Sequence, residues 1–202
     1  MTIIESIFHD YLVLFAMVNA VGNLPIFADL TGDMDRKTRN ETFRIAVITA
    51  ASIVISFAFL GDWMLQRVFV VDTASFKIAG GILVFVVAAR GMILGPRQSS
   101  GTEQKFDNIA VFPFGFPYLA GPGTIVTTIL LFQSGGSLIT ASAAVLVYLS
   151  IYPLLRLATY VERAVGRVGV LIVTRILYIF ISAKAVTFVM DGLHSWLLLP
   201  TL

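Results

Sequence analysis

The 202-residue sequence contains no cysteine and few charged residues. Without cysteine, the chain has no disulfide framework, no thiol nucleophile and no cysteine-based metal site. Charged residues make up only 13% of the chain, whereas about a quarter is usual in soluble proteins. The N-terminus lacks a basic region followed by a small-residue cleavage site, so we expect no removable signal peptide. The low charge argues against a soluble domain.

Apolar residues dominate the chain instead. They account for 57% of it, and the mean hydropathy is +0.90. Because ~20 mainly apolar residues can cross a bilayer, the sequence has room for about six spans. Uncharged runs separated by turn signals place these spans at roughly 7–29, 43–64, 74–95, 108–132, 138–158 and 170–190. We therefore predict an all-α, polytopic membrane protein.

Lysine and arginine are concentrated in alternate loops. The loops after predicted spans one, three and five carry Arg36, Lys37, Arg39, Arg97, Lys105, Arg156, Arg163 and Arg167. The loops on the other side contain Arg67 alone. Since basic residues favour the cytoplasmic side, both termini are predicted to be extracytoplasmic. No basic patch suggests a nucleic-acid partner.

Three predicted spans lie on each side of the 97–107 loop, which suggests a duplication. An odd number of spans per half makes the second half inverted relative to the first. We therefore predict two inverted three-helix repeats, residues 1–96 and 108–202, joined by a cytoplasmic linker at 97–107. Aligning Gly22 with Gly121 places "GNLPI" over "GPGTI".

Helix-breaking residues occur late in the first span of each half. They lie in "NAVGNLPIF" at 19–27 and in "LAGPGT" at 119–124. Proline removes a backbone donor and glycine leaves the helical region easily, so spans one and four are predicted to be broken. New half-helices would begin near Pro25 and Thr124. Kinks in membrane helices can also serve packing alone, and that alternative stays open.

The two breaks predict a substrate site near the bilayer midplane. Half-helix N-termini suit a carboxylate, and nearby amides and hydroxyls add hydrogen bonds without fixed charge, which favours a small zwitterion. The candidate substrate-binding residues are Asn19, Gly22, Asn23, Pro25, Gly121, Pro122, Gly123 and Thr124. Candidate coupling or supporting residues are Thr127, Thr128 and Lys184.

Lys184 is a charged residue within the last predicted span. As a functional residue it would bind the substrate carboxylate or take part in ion coupling, paired with Asp191 or Asp62. Alternatively, its long stem extends to the membrane surface and the residue has no role in binding. The sequence leaves both interpretations open.

These motifs resemble the MarC family of integral membrane proteins over nearly the whole chain. The resemblance rests on "NAVGNLPIF" at 19–27, "LTGDMDRKTR" at 30–39, "FKIAGGILVFVVA" at 76–88, "FPFGFPYLAGPGTI" at 112–125 and "VGVLIVTRI" at 168–176. It implies a six-span protein of a bacterial or archaeal inner membrane that transports small neutral amino acids such as alanine or glycine. Na⁺ or H⁺ would be the coupling ion, with no other cofactor. The sequence departs from the family pattern at Ala20, where a proline is usual, and at Tyr178, where glycine is common.

The alternatives are an exporter or channel for another small metabolite and a non-transporting membrane scaffold. An enzyme is not expected, because the predicted spans show no acidic or histidine constellation and no metal-ligand spacing links His9 with His194. The expected partners are a small neutral amino acid, the lipid bilayer and, as a candidate, further copies of the chain.

Overall fold

In the computed structural model, the described residues are 2–94 and 109–197, and within these ranges the chain is helical without a strand. The helices are α1 (Ile3–Val18), α2 (Ala20–Leu30), α3 (Arg36–Trp63), α4 (Thr73–Leu94), α5 (Pro122–Gly135), α6 (Ser137–Arg156) and α7 (Ala158–Leu197). Two π-helical segments, Met64–Phe69 and Ala110–Leu119, accompany them. The predicted 97–107 linker lies outside the described residues.

Five of the described helices are long and apolar enough to cross a membrane. They cover Ile3–Leu24, Arg36–Phe69, Thr73–Leu94, Ser137–Arg156 and Val168–Leu197. A sixth span results if Ala110–Leu119 and Pro122–Gly135, which are bent by 55° at their junction, are counted together. The predicted all-helical, multi-span architecture is therefore confirmed. The second and sixth spans are longer than predicted, because their helices continue beyond the apolar runs.

Two helix starts are fixed by aspartate caps in the loops. Asp35 accepts a hydrogen bond from the backbone N–H of Thr38 (3.0 Å) at the start of α3, and Asp72 accepts one from Ser75 (2.8 Å) at the start of α4. The hydroxyl and the backbone N–H of Thr38 lower the pKa of Asp35, and those of Ser75 lower the pKa of Asp72. Each aspartate thus accepts a hydrogen bond from a backbone N–H group in the first helical turn that would otherwise have no partner.

Helices from the two halves of the chain pack against one another. The closest association is between α4 and α7. A Cβ atom added at Gly81 would lie 2.8 Å from the carbonyl oxygen of Ala185, and one added at Gly192 would lie 2.9 Å from that of Ala74. Glycine therefore permits the two backbones to approach closely, as small residues do in membrane proteins.

An aromatic cluster fills the core between α2, α3 and the 110–119 segment. Phe27, Phe43 and Phe114 are fully buried, and the rings of Phe27 and Phe114 meet edge to face at 4.5 Å. Phe112 and Phe116 are exposed on the outer surface of the same segment. Extended backbone at these two phenylalanines turns the alternating aromatics to different sides. Packing of these rings thus holds the 110–119 segment, which leads to the second break, against α2 and α3.

Glycine also interrupts the last helix. Gly166 adopts φ +73°, a conformation that other residues rarely adopt, and separates the start of α7 from its membrane span at Val168–Leu197. The predicted loop between spans five and six is therefore largely helical.

Candidate functional site

The first break lies at Asn19 and not at Pro25. Asn19 has left-handed backbone angles (φ 49°, ψ 43°) and its N–H reaches back to the carbonyl of Ala16 (3.0 Å), which ends α1. Helix α2 begins at the next residue and continues through Gly22, Asn23 and Pro25. Asparagine adopts this conformation more readily than most residues, so it forms the turn and the proline does not. The predicted half-helix start near Pro25 is wrong, and the proline side chain lies outside the described part.

The second break is wider. Ala120 and extended Gly121 (φ −74°, ψ 167°) separate the 110–119 segment from α5. Helix α5 begins at Pro122, two residues before the predicted Thr124. Proline suits the first helical position, because its missing N–H would have no helical partner there. The backbone before it is left with carbonyl groups that need other donors.

Side chains from two other helices supply those donors. In a continuous helix the N–H of residue 122 would bind the carbonyl of Tyr118, but a proline has none. Asn23 donates from Nδ2 to that carbonyl instead (3.2 Å). The hydroxyl of Tyr148, on α6, donates to the carbonyl of Leu119 (2.9 Å). The Asn23 bond thus joins α2, one turn after the first break, to the segment that ends at the second break.

Several polar groups near the breaks remain without a partner. The side-chain oxygens Oδ1 of Asn19 and Oγ1 of Thr127 are buried and accept or donate no hydrogen bond. No side chain caps α5, so the N–H groups of Gly123 and Thr124 are not bound by a capping residue. Buried polar groups in native proteins are nearly always paired, so this combination calls for a ligand or water.

Helix α5, which contains Gly123, Thr124 and Thr127, packs against α1 and α4. A Cβ atom added at Gly123 would lie 3.4 Å from Cε of Met17 and 3.8 Å from Cγ2 of Val84. Thr127 is one helical turn further along and therefore shares the face of Gly123. Thr128, also buried, donates to the carbonyl of Thr124 (2.8 Å), so its hydroxyl is already used within the helix. Of the two predicted supporting threonines, Thr127 is the one with free bonding capacity.

Helix α7 covers the first break. A Cβ atom at Gly22 would lie 2.6 Å from Nδ2 of Asn19 and 2.7 Å from Cγ2 of Thr174, so Gly22 serves close packing. The Tyr178 hydroxyl is in hydrogen-bonding range of the Asn19 side chain. The Tyr178 ring lies against Gly91 of α4, where any larger residue would collide with it. The departure from the family pattern at Tyr178 thus lies beside the candidate site.

Lys184 contacts an aromatic ring on its own helix. Its Nζ lies 5.3 Å from the ring centroid of Phe188, a cation–π arrangement. In the described ranges it forms an ion pair with neither Asp191 nor Asp62. Asp62 accepts hydrogen bonds from Gln66 (2.9 Å) and Gln133 (3.0 Å).

Two cavities lie elsewhere on the molecule. One, of about 330 Å³, runs between α3 and α6 past Ile48, Ala51 and Leu149. The other, of about 220 Å³, is lined by residues that include Thr31, Arg39 and Arg156. None of the predicted site residues lines either cavity.

Asp10 was missed by the sequence reasoning. Its side chain is buried on α1 (5% exposed), where Oδ2 accepts a hydrogen bond from the Thr140 hydroxyl (3.1 Å) and Oδ1 lies 3.1 Å from Nδ1 of His9. An acidic residue inside the predicted span 7–29 was a signal that could have identified it. Tyr148 gave no comparable signal, since an aromatic in an apolar run suggests only packing.

Comparisons with known proteins agree with the fold and motifs. The family model described as MarC family integral membrane protein matches residues 4–197. A UPF0056 membrane protein of Archaeoglobus fulgidus is 35% identical, over 92% of this chain and 91% of its own length. UPF0056 membrane protein YhcE of Escherichia coli is 33% identical, over 93% and 92%. UPF0056 membrane protein MJ1677 of Methanocaldococcus jannaschii is 31% identical, over 92% and 94%. No solved structure matches the chain.

Proposed function

The chain belongs to the MarC family of integral membrane proteins, which has members in bacteria and archaea, and from that premise we propose that it is a secondary transporter of small neutral amino acids. Alanine and glycine are the proposed substrates, and the plasma membrane is the proposed location. The observation that carries this proposal is the direct bond between the two helix breaks, beside buried polar groups without partners.

The free groups at the breaks complement both ends of an amino acid. The N–H groups of Gly123 and Thr124, at the positive end of the α5 dipole, suit the carboxylate. The oxygens of Asn19 and Thr127 can accept hydrogen bonds from the ammonium group. None of these groups carries a fixed charge, so a net-neutral zwitterion fits better than a strongly charged ion.

The packing supports a small substrate side chain. Met17 and Val84 lie 3.4 Å and 3.8 Å from the position of a Cβ atom at Gly123, and Cγ2 of Thr174 lies 2.7 Å from that of a Cβ atom at Gly22, next to Asn19. Little room is left beside the proposed carboxylate position, which favours a hydrogen or a methyl group on the substrate.

The helix pairs support the proposed inverted repeat. Counterparts from the two halves pack together: α3 with α6 and α4 with α7. In the proposed repeat, the 110–119 segment corresponds to α1, and α5 corresponds to α2. The contact of α1 with α6 is matched by that of the 110–119 segment with α3, and the contact of α2 with α7 is matched by that of α5 with α4. A two-fold axis in the membrane plane would generate this arrangement, and relative motion of two such halves gives alternating access.

Transport then requires the region around the two breaks to open alternately toward each side of the membrane. The small-residue contacts between α4 and α7 provide a surface on which the halves can move. In the proposed orientation, which the lysine and arginine distribution favours, both termini are outside, the α1 start faces the exterior and the start of α3 faces the cytoplasm.

Radiolabelled alanine and glycine uptake into proteoliposomes tests the proposal. Na⁺ and proton gradients are imposed separately, and protein-free liposomes are the control. We expect saturable uptake that one of the gradients drives above equilibrium. Vesicles preloaded with the amino acid test the export direction in the same preparation. No saturable flux in either direction under any gradient would refute the proposal, and a flux without saturation would indicate a channel.

A further inference from the structure

We propose that Asp10 is a proton-binding site, and that its protonation couples the proton gradient to transport. The coupling role rests on the proposed transport function, whereas proton binding itself does not. The carboxylate lies on α1 two turns from the start of that helix, at the membrane face where α5 ends and α6 begins.

The surroundings of Asp10 provide little compensation for a negative charge. Oδ2 accepts a hydrogen bond from the buried Thr140 hydroxyl (3.1 Å), and a Cβ atom at Gly135 would lie 3.7 Å from the same oxygen. In the described ranges no lysine or arginine forms an ion pair with it. Burying an ionised carboxylate with so few hydrogen-bond partners costs free energy, and protonation of the carboxylate removes that cost.

His9 is the titratable group that faces Asp10. Its Nδ1 lies 3.1 Å from Oδ1, and its side chain is 45% exposed, so it connects the buried carboxylate with the protein surface two turns from the start of α1. Imidazole changes its protonation near neutral pH and can pass a proton in either direction. Helix α5 contains no charged residue, and the charged residue of α6, Arg156, lies at the end of that helix far from Thr140. Helix α7 also packs on α1, and its described titratable groups form no ion pair or hydrogen bond with Asp10: Tyr160, Arg175, Tyr178, Lys184, Asp191 and His194.

A proton fits this site better than a metal ion does. Hard cations such as Ca²⁺ take six to eight oxygen ligands, as a general rule. Thr140 alone contributes a side-chain oxygen to the carboxylate here, and no cluster of three acidic or histidine ligands occurs among the described residues. A single carboxylate with one hydroxyl and one imidazole is sufficient to bind and release a proton.

Protonation changes the bonds between two spans. The ionised carboxylate only accepts hydrogen bonds, whereas the carboxyl group carries an O–H that donates. The new O–H bond forms with a proton taken from the aqueous phase through His9. When this O–H lies on Oδ2 and donates to Oγ1 of Thr140, the hydrogen bond between α1 and α6 reverses its direction and the connection between the two helices changes. Since these helices belong to opposite proposed repeats, the proton shifts the balance between two arrangements of the halves.

Infrared difference spectroscopy on purified, lipid-reconstituted protein tests proton binding without any transport. The probe is the C=O stretching band of a protonated carboxyl group, followed as the pH is lowered. We expect Asp10→Asn to lose a component of this band that Asp72→Asn retains, because Asp72→Asn removes only the separate component of an exposed loop carboxylate whose pKa is lowered by Ser75. Identical bands in the wild type and Asp10→Asn would overturn the proposal.

Thr140→Val provides a second variant that keeps the carboxylate. Because Oδ2 loses its hydrogen bond from the Thr140 hydroxyl, the Asp10 component of the band is expected to appear at a different frequency from that in the wild type. An unchanged band in this variant would count against the assigned environment. The result remains decisive if Asp10→Asn fails to fold.

Transport measurements then test coupling. Asp10→Asn is expected to retain alanine exchange across the membrane while losing most of its accumulation under a proton gradient, and Asp10→Glu is expected to restore it. Wild-type-like accumulation in Asp10→Asn would overturn the coupling role. If the wild type itself transports no alanine, the proposed function fails while the infrared result still decides whether Asp10 binds a proton.

Discussion

Replacement of Asn23 by leucine tests the bond that joins the two breaks. Asn23 donates to the carbonyl of Tyr118 at 3.2 Å, and that carbonyl has no helical donor because Pro122 occupies the position four residues later. Leucine has a similar size but no donor, so the variant leaves a partly buried carbonyl without a partner. The rest of the backbone need not change, because Tyr148 still binds the neighbouring carbonyl of Leu119.

The size of the effect follows from the unpaired carbonyl. An unsatisfied buried acceptor costs about 1–3 kcal/mol, whereas side-chain hydrogen bonds in membrane proteins average about 0.6 kcal/mol when the freed groups find new partners. The higher range applies at this break, since proline cannot restore a helical bond to Tyr118. Because the bond holds the proposed binding-competent arrangement of the breaks, a loss of 1–3 kcal/mol from that arrangement lowers the population that can bind alanine and corresponds to at most a roughly 5- to 150-fold decrease in alanine affinity.

The assay is alanine binding and uptake by the reconstituted variant, with thermal unfolding in detergent measured alongside. Asn40→Leu is the matched control, because Asn40 makes no described side-chain hydrogen bond and lies on α3 away from the breaks. The control should bind alanine as the wild type does. Unchanged alanine affinity in folded Asn23→Leu would refute the role given to this bond.

Three further predictions concern neighbouring groups. Tyr148→Phe removes the hydroxyl that donates to the carbonyl of Leu119 and should lower the free energy of unfolding by about 1–3 kcal/mol. An unfolding temperature equal to that of the wild type would contradict a stabilising role for this hydrogen bond. Gly91→Val should displace the Tyr178 ring and destabilise the protein by about 1–3 kcal/mol, with Tyr178→Ala in the same chain restoring stability; a failure to restore it would show another cause. Asp72 has a pKa lowered below its ordinary value of 3.8 by Ser75, so its cap is complete above pH 3.8 and is lost as the pH falls through the lowered pKa. Amide exchange at the start of α4 should detect that loss, and Asp72→Asn should abolish the pH dependence.

The spans were predictable because bilayer thickness controls their length and composition. Uncharged runs located all six predicted spans on described helices, with errors mainly at the ends. The helix ends depend on local capping side chains and glycines, which hydropathy does not indicate. Helix α3, for example, begins at Arg36 after the Asp35 cap, well before its apolar run. Gly166 lets α7 begin far ahead of its membrane span.

The candidate site was predictable only in part. Proline and glycine indicated where helices can break, but which residue takes the irregular conformation depends on competition along the chain. Asn19 takes the left-handed angles in the first half, so Pro25 stays inside α2. The donors that stabilise the second break come from Asn23 and Tyr148, distant in sequence. No short-range pattern contains such a contact.

The two breaks therefore complement each other, although sequence alignment treats them as equivalent. Aligning Gly22 with Gly121 places Asn23 over Pro122. Proline at this position lacks the backbone donor that Tyr118 needs, and the aligned asparagine supplies one from its side chain. The first break changes one residue and leaves a nearly continuous helix, whereas the second leaves both Ala120 and Gly121 in non-helical conformations. In the proposed repeat, one half thus contributes the side chains and the other the backbone groups of a single site, which explains why the motifs resemble each other so little in composition.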